Sequence, residues 1–164
     1  VYIHWNAMSE LYNSYSSYKV SYKSFDEHSI SILASATERY KDYQNKTEEE
    51  KQILSVNGVA ADFAAAVEHE FKKIISLIYG ESKRTFFDSI GLLEKMKTYK
   101  VPMLEELAKK EYIEKLHFIR MVHNDIDHGN RLITEEELDE LYHITVFGNL
   151  CQLLSDTYYD LKHD

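Results

Sequence analysis

The chain has 164 residues and a formal net charge of −9, with five glycines, one proline and one cysteine. This length suffices to bury a core, and the scarcity of glycine and proline favours long helices over short strands and turns. The acidic balance argues against a protein that coats nucleic acid through non-specific charge, and no apolar run approaches the length of a membrane span. The lone Cys151 excludes an internal disulfide, so we expect a cytoplasmic protein with a buried, structural thiol.

A stretch rich in Tyr and Ser opens the chain and is predicted to form the first helix. Two rows of apolar or aromatic side chains recur in it at helical spacing: Trp5, Met8, Leu11 and Tyr12, and then Tyr15, Tyr18 and Tyr22. We interpret both rows as a packing face rather than a platform for stacking bases. A second helix is predicted from about Phe25 to Tyr40.

The third main helix has the clearest pattern. Thr47 and Glu50 form a capping box ahead of it, apolar side chains recur every three or four residues from Ile53 to Ile78, and Gly80 ends the run. Alanines in the first half of this helix leave one section with only small side chains, so that another helix can approach its backbone closely. A shorter helix is predicted next, with five side chains turned inward: Phe86, Phe87, Ile90, Leu93 and Met96.

The last two predicted helices flank a polar loop. Pro102 suits the first turn of the penultimate helix, whose apolar stripe is predicted to continue to Ile126. Thr134 and Glu137 form a second capping box, which opens a last helix ending near Leu161.

No segment shows the alternating pattern of a strand. We therefore predict an all-α fold, an antiparallel helical bundle of five to six helices. The bundle is expected to form one domain over residues 1–164, in which residues 1–50 supply N-terminal helices and residues 51–164 supply the core.

The end of the penultimate helix carries an unusually dense group of polar and titratable side chains. Arg120 and Asn124 share one face of a helix, and His128 lies a further turn on. His123 falls on the apolar stripe, so we expect it to point partly inward. One interpretation makes Arg120, Asn124 and His128 a polar cluster at the mouth of the interface between the last two helices. The alternative is an ordinary helix end with capping groups and a satisfied core histidine.

The segment His123-Asn124-Asp125-Ile126-Asp127-His128-Gly129 resembles the signature of the HEPN superfamily, which reads Arg-Asn-x-x-x-His. The capped final helix that follows it is similar to the family's, as is the upstream segment 85–95, and the resemblance covers residues 53 to 160. It implies a small helical bundle that dimerises, so that two copies of the motif meet in one cleft. Many members are ribonucleases that use no metal ion or cofactor.

The resemblance also implies roles for four candidate catalytic residues. His128 stands at the position of the family's general acid/base, and Asn124 at that of its organising amide. His123 replaces the family's phosphate-binding Arg, and Arg120 lies one turn earlier. Three hypotheses stay open: the two histidines act as an acid/base pair, Arg120 supplies the missing cation, or catalysis is lost and the bundle is kept for binding.

We therefore predict a HEPN-like domain that acts on or binds RNA, as a degenerate or weak metal-independent ribonuclease of a defence or toxin–antitoxin type system. It is expected to form a homodimer, with RNA or a nucleotide and a cognate antitoxin-like protein as partners. A second hypothesis is a non-catalytic helical module for dimerisation or for binding protein or nucleotide. A third is a di-metal bundle built on two Glu-x-x-His pairs and further carboxylates: Glu114 and His117, Glu140 and His143, with Glu38, Glu68 or Glu70.

Overall fold

A computed structural model describes the backbone of residues 2–164 and the side chains of residues 8–164. The described chain is helical throughout and contains no strand. Its helices are α1 (Tyr2–Ser21), α2 (Glu27–Gln44), α3 (Glu48–Gln52), α4 (Asn57–Tyr79), α5 (Phe86–Lys95), α6 (Pro102–Leu107), α7 (Lys110–Asp127), α8 (Glu135–Tyr142), a π-helical turn (His143–Phe147) and α9 (Leu150–Lys162). The predicted all-α bundle is confirmed.

Helix α4 is the central element of the bundle. It packs against α2, α5, α7, α8 and α9. Phe63, Phe71 and Ile74 are completely buried along it, as are the small side chains of Ala60 and Ala64. The pattern that predicted this helix therefore also predicted its position in the core.

The N-terminal helix uses only one of its two predicted packing rows. Tyr18 and Tyr22 are buried, and the hydroxyl of Tyr18 shares a hydrogen bond of 2.7 Å with that of Thr37 on α2. The other row is exposed at Met8 and Tyr12, so the prediction that it packs inward is wrong for these residues. The prediction for Trp5 lies outside the described side chains.

Capping boxes set two helix starts, as the sequence predicts. The Thr134 hydroxyl accepts a hydrogen bond of 3.1 Å from the backbone N–H of Glu137, and the Glu137 carboxylate accepts one of 3.1 Å from the N–H of Thr134. Thr47 and Glu50 make the same reciprocal pair at the start of α3. These bonds satisfy N–H groups that the first turn of a helix leaves free.

Two predicted helices are interrupted in the structure. The penultimate helix breaks between α6 and α7, because Leu107 and Ile113 are buried six residues apart and polar Lys110 and Glu111 lie between them. A continuous helix would place those lysine and glutamate side chains on the stripe that should be apolar.

The last helix breaks after the π-helical turn, where Asn149 adopts a left-handed conformation with φ of 66°. A Cβ on Gly148 would lie 2.5 Å from the carbonyl oxygen of His143, so the turn requires glycine there. Two single residues are also corrected: Ile53 is 85% exposed just before α4, and Phe87 is 59% exposed although it was expected inward.

A buried carboxylate ties the start of α2 to α4. Glu70 is only 3% exposed, accepts a hydrogen bond of 2.7 Å from the Ser29 hydroxyl and pairs with Lys73 at 2.8 Å. Asp26, the residue that precedes α2, also contacts Lys73 at 3.1 Å. Within the part of the chain that the structure describes, no helix is both long enough and apolar enough to cross a membrane.

Candidate functional site

A cavity of about 460 Å³ lies between α4, α5 and α7 and opens to solvent. Helix α7 lines it with Arg120, His123 and Asn124, which are three of the four predicted site residues. The rest of the lining consists of Asp127 of α7, Glu68 and Lys72 of α4, and residues 83–87, which lead into α5. We call this cavity the α7 pocket.

The packing of α7 explains why these side chains share the pocket. Leu116, Ile119 and Val122 are buried, and α7 packs against both α4 and α5. Positions 120, 123 and 124 lie on the flank beside that apolar stripe, so they face the space between α4 and α5. The prediction that the cluster lies between the last two helices is therefore wrong.

The turn after α4 brings two further cations to the pocket. Gly80 has φ of 83°, a conformation that favours glycine, and it ends α4. In the turn that follows, Arg84 donates a hydrogen bond of 2.9 Å to the Gly80 carbonyl. The Thr85 hydroxyl then caps α5 by accepting a hydrogen bond from the backbone N–H of Asp88. Lys83 and Arg84 are thereby placed in the lining.

The α7 pocket is cationic, although the chain as a whole is acidic. Lys72, Lys83, Arg84 and Arg120 line it, against the carboxylates Glu68 and Asp127. An excess of positive groups in a concave, partly desolvated site attracts anions more strongly than the same charges spread over a convex surface.

The imidazole of His123 lies between two carboxylates. Its Nδ1 lies 3.0 Å from Glu68 Oε1, and its Nε2 lies 3.6 Å from Asp127 Oδ2. The hydrogen bond to Glu68 raises the pKa of His123 above its usual value, against the opposing effect of burial. With a carboxylate beside each ring nitrogen, the surroundings favour the imidazolium form of His123.

Glu68 is held ionised by the same contacts. Burial alone would raise the pKa of Glu68, but its hydrogen bonds to His123 and Lys72 outweigh burial and lower it. The Lys72 ammonium lies 2.6 Å from the second carboxylate oxygen. One carboxylate therefore orients two cations at the wall of the α7 pocket.

We expect the contribution of His123 to stability to depend on pH. Because its pKa is raised in the folded state, its contribution is complete below the unfolded value of 6.5 and is lost as pH rises through the folded value. The contribution of Glu68 to stability has the opposite pH dependence. It is lost as pH falls below 4.5 toward the lowered pKa of Glu68. The pair is thus most stabilising between these limits.

The measurement is urea unfolding of wild type and His123→Gln between about pH 5 and about pH 8. At the acidic end, the free energy of unfolding of the variant should be lower than that of wild type by on the order of 1 kcal/mol. This difference between the two proteins should shrink as pH rises. His128→Gln is the matched control, with an expected change within about 0.5 kcal/mol because His128 is exposed. A difference for His123→Gln that grows with pH would contradict the assigned pairing.

Arg120 is positioned by an aromatic ring and a histidine. Its guanidinium lies 5.2 Å from the centre of the Phe87 ring, and its Nε donates a hydrogen bond of 3.3 Å to His117 Nδ1. His117 Nε2 in turn lies 3.1 Å from Glu94. Among the side chains that the structure describes, no carboxylate pairs directly with Arg120, so its terminal nitrogens are available to an anion.

The remaining two motif residues differ in location. Asn124 lines the α7 pocket, and its backbone carbonyl accepts a hydrogen bond of 3.0 Å from the N–H of His128. His128 is the exposed C-terminal capping residue of α7 and lies outside the pocket lining. One chain therefore brings Arg120, His123 and Asn124 together and leaves His128 apart from them.

Sequence reasoning did not single out Lys72, Lys83, Arg84 or Phe87. The sequence contains one weak indication of a cationic site. Residues 83–131 hold ten basic and eight acidic side chains, whereas the rest of the chain is strongly acidic. Such a window does not show which cations converge. That convergence depends on the packing of α7 against α4 and α5.

The structure brings together a different group of possible metal ligands from the predicted Glu-x-x-His pairs. Among the described residues, Asp26, His69 and Glu70 lie within ligand distance of one another. The Lys73 ammonium already contacts Asp26 at 3.1 Å and Glu70 at 2.8 Å, and it supplies the positive charge that these carboxylates need. We interpret this group as a structural ion-pair cluster.

No family model, curated protein or solved structure matches the chain.

Proposed function

We propose that the chain is a HEPN-like domain that binds RNA at the α7 pocket and is at most a weak, metal-independent ribonuclease. One observation carries the proposal: three predicted site residues, Arg120, His123 and Asn124, share one cavity with additional cations. Phosphate is the anion that such a set of arginine and lysine side chains binds in nucleic acids. The exposed ring of Phe87 offers a nearby surface on which a base can stack.

The chemistry of RNA cleavage explains why the activity is expected to be weak. A base removes the proton from the 2′-hydroxyl, the oxygen attacks phosphorus, and an acid protonates the 5′-oxygen that leaves. His123, whose protonated form the contact with Glu68 favours, suits the acid or a charge that stabilises the phosphorane, and Arg120 suits a phosphate ligand. No second imidazole lines the α7 pocket among the described residues, so one chain supplies no second histidine to act as the base.

A homodimer would complete the proposed site. His128 is exposed at the tip of α7, and a twofold arrangement that brings the α7 ends together would offer His128 of the partner subunit to the α7 pocket. We propose such a dimer, in a defence or toxin–antitoxin type system with a cognate antitoxin-like protein, by resemblance to the HEPN superfamily. It agrees with the exposed location of His128.

The test is to incubate labelled single-stranded RNA with wild type, Arg120→Ala and His128→Ala, with and without EDTA. We expect wild type to bind RNA, Arg120→Ala to bind it more weakly, and slow cleavage that EDTA does not affect. His128→Ala should reduce that cleavage by about 10²-fold or more, the usual cost of losing a general acid or base. The control His143→Ala removes an exposed histidine on another element and should change neither property.

A second candidate function is a non-catalytic RNA-binding module. The location of His128 outside the α7 pocket favours it, because a chain that does not dimerise through α7 brings no second histidine to the reaction. RNA that wild type binds and leaves intact would support this candidate. Wild type that neither binds nor cleaves RNA would contradict both.

A further inference from the structure

A second groove lies beside the α7 pocket, between α4 and α9. It has a volume of about 370 Å³ and is lined by α4 and α9, chiefly by His69, Lys72, Lys73, Tyr158 and Lys162. Lys72 also lines the α7 pocket. The two cavities therefore adjoin, with this lysine on the ridge between them, and we call the second one the α9 groove.

The α9 groove is also cationic, but its cations differ in availability. Lys73 is committed to Asp26 and Glu70, and its ammonium lies 4.6 Å from the centre of the Tyr158 ring. Lys162, the last residue of α9, is exposed and makes no ion pair with a described side chain. The carboxylate in the lining is that of Glu81, against three lysines.

We infer that the α9 groove continues the anion-binding track of the α7 pocket, so that one RNA strand crosses α4 at Lys72. The inference rests on the proposed function of the α7 pocket. The two linings share only Lys72, and all their other residues differ. A chain of several nucleotides can therefore place phosphates in both cavities, whereas a mononucleotide occupies one of them.

The lining favours an unpaired strand. Each cavity holds an aromatic ring among its cations, Phe87 in the α7 pocket and Tyr158 in the α9 groove. Positive grooves that carry aromatic side chains bind single-stranded nucleic acid, because the cations follow the backbone while unpaired bases stack on the rings. An acidic peptide would match the charge but would leave the rings without stacking partners.

The test compares Lys162→Gln with Lys110→Gln by fluorescence anisotropy at several salt concentrations. Lys110 is the matched control, since its side chain is 90% exposed at the start of α7 and lines neither cavity. The probes are a labelled single-stranded oligoribonucleotide that spans both cavities and a labelled mononucleotide. Circular dichroism confirms that each variant keeps its helices.

We expect Lys162→Gln to weaken oligonucleotide binding several-fold and to reduce the slope of log affinity against log salt by about 0.7, the value for one phosphate contact on a single strand. Mononucleotide binding should stay unchanged, because the α7 pocket is intact. Lys110→Gln should change neither measurement.

Failure of the track and failure of the proposed function give different results. If Arg120→Ala weakens oligonucleotide binding while Lys162→Gln leaves affinity and salt slope unchanged, the α9 groove is not part of the path and the RNA-binding pocket stands. If wild type binds no oligonucleotide, both are wrong. A polyglutamate peptide that binds wild type as tightly as the oligonucleotide, with the same loss in Lys162→Gln, would assign the groove to acidic peptides and overturn the inference.

Discussion

Replacing Glu70 with alanine should destabilise the protein by about 3 kcal/mol, at the lower end of the cost of breaking a buried ion pair. The carboxylate is 3% exposed, accepts from the Ser29 hydroxyl and pairs with Lys73. Burial alone would lower the pKa of Lys73, but its contacts with Glu70 and Asp26 together outweigh burial and raise it, so the ammonium form is favoured. Without Glu70 that charge keeps Asp26 as a carboxylate partner and the Ser24 carbonyl at 2.9 Å, which is why we expect a large but not extreme loss.

The free energy of unfolding in urea measures this effect. Glu114→Ala is the matched control on an exposed position of α7, with an expected change within about 0.5 kcal/mol. Glu70→Gln should fall between the two, because it can keep the contact with Ser29 and loses the charge. A Glu70→Ala variant as stable as Glu114→Ala would show that this ion pair does not hold the start of α2 on α4.

Replacing His123 with arginine should increase RNA cleavage, because the substitution restores the HEPN pattern of Arg followed by Asn. The structure adds a condition to that expectation. Glu68 lies 3.0 Å from the imidazole, so an arginine at this position would pair with Glu68 instead of facing the pocket. We therefore expect a small gain from His123→Arg and a gain of up to about 10²-fold when it is combined with Glu68→Gln, the range for one group that stabilises charge in a transition state.

Cleavage rates of labelled single-stranded RNA measure this gain. The matched control is Met121→Arg, which adds the same charge to an exposed position of α7 outside the pocket lining and should produce no gain. Equal rates for the double variant and Met121→Arg would show that position 123 is not a phosphate-binding position. The resemblance to the HEPN superfamily would then no longer support a catalytic role for this chain.

The sequence predicted the helices best where one local interaction decides their limits. Thr134 and Glu137 fix a helix start through bonds between residues three apart, and both capping boxes are confirmed. The interruption between Leu107 and Ile113 was missed, because glycine and proline are absent there and only the six-residue gap between buried positions signals it. The π-helical turn was missed because it depends on contacts across the turn, such as the close approach of Gly148 to a carbonyl.

The site was predictable only as far as one helix carries it. The spacing of Arg120 and Asn124 placed both on one face, and the apolar stripe placed His123 partly inward, as the structure shows. What those residues face was not predictable, because Glu68 and Lys83 come from elements 40 to 55 residues away in sequence. Their contact depends on how α7 packs against α4 and α5, and periodicity within a helix carries no information about its neighbours.

The most direct test is an NMR titration of the isotope-labelled protein with a single-stranded oligoribonucleotide whose 2′-hydroxyls are methylated to prevent cleavage. We predict chemical-shift changes at the backbone amides of residues 120–124 and 83–87 and at the His123 imidazole, all of which surround the cationic pocket. Changes confined to the exposed apolar side of α1, around Met8 and Tyr12, with none at His123, would contradict RNA binding at this pocket.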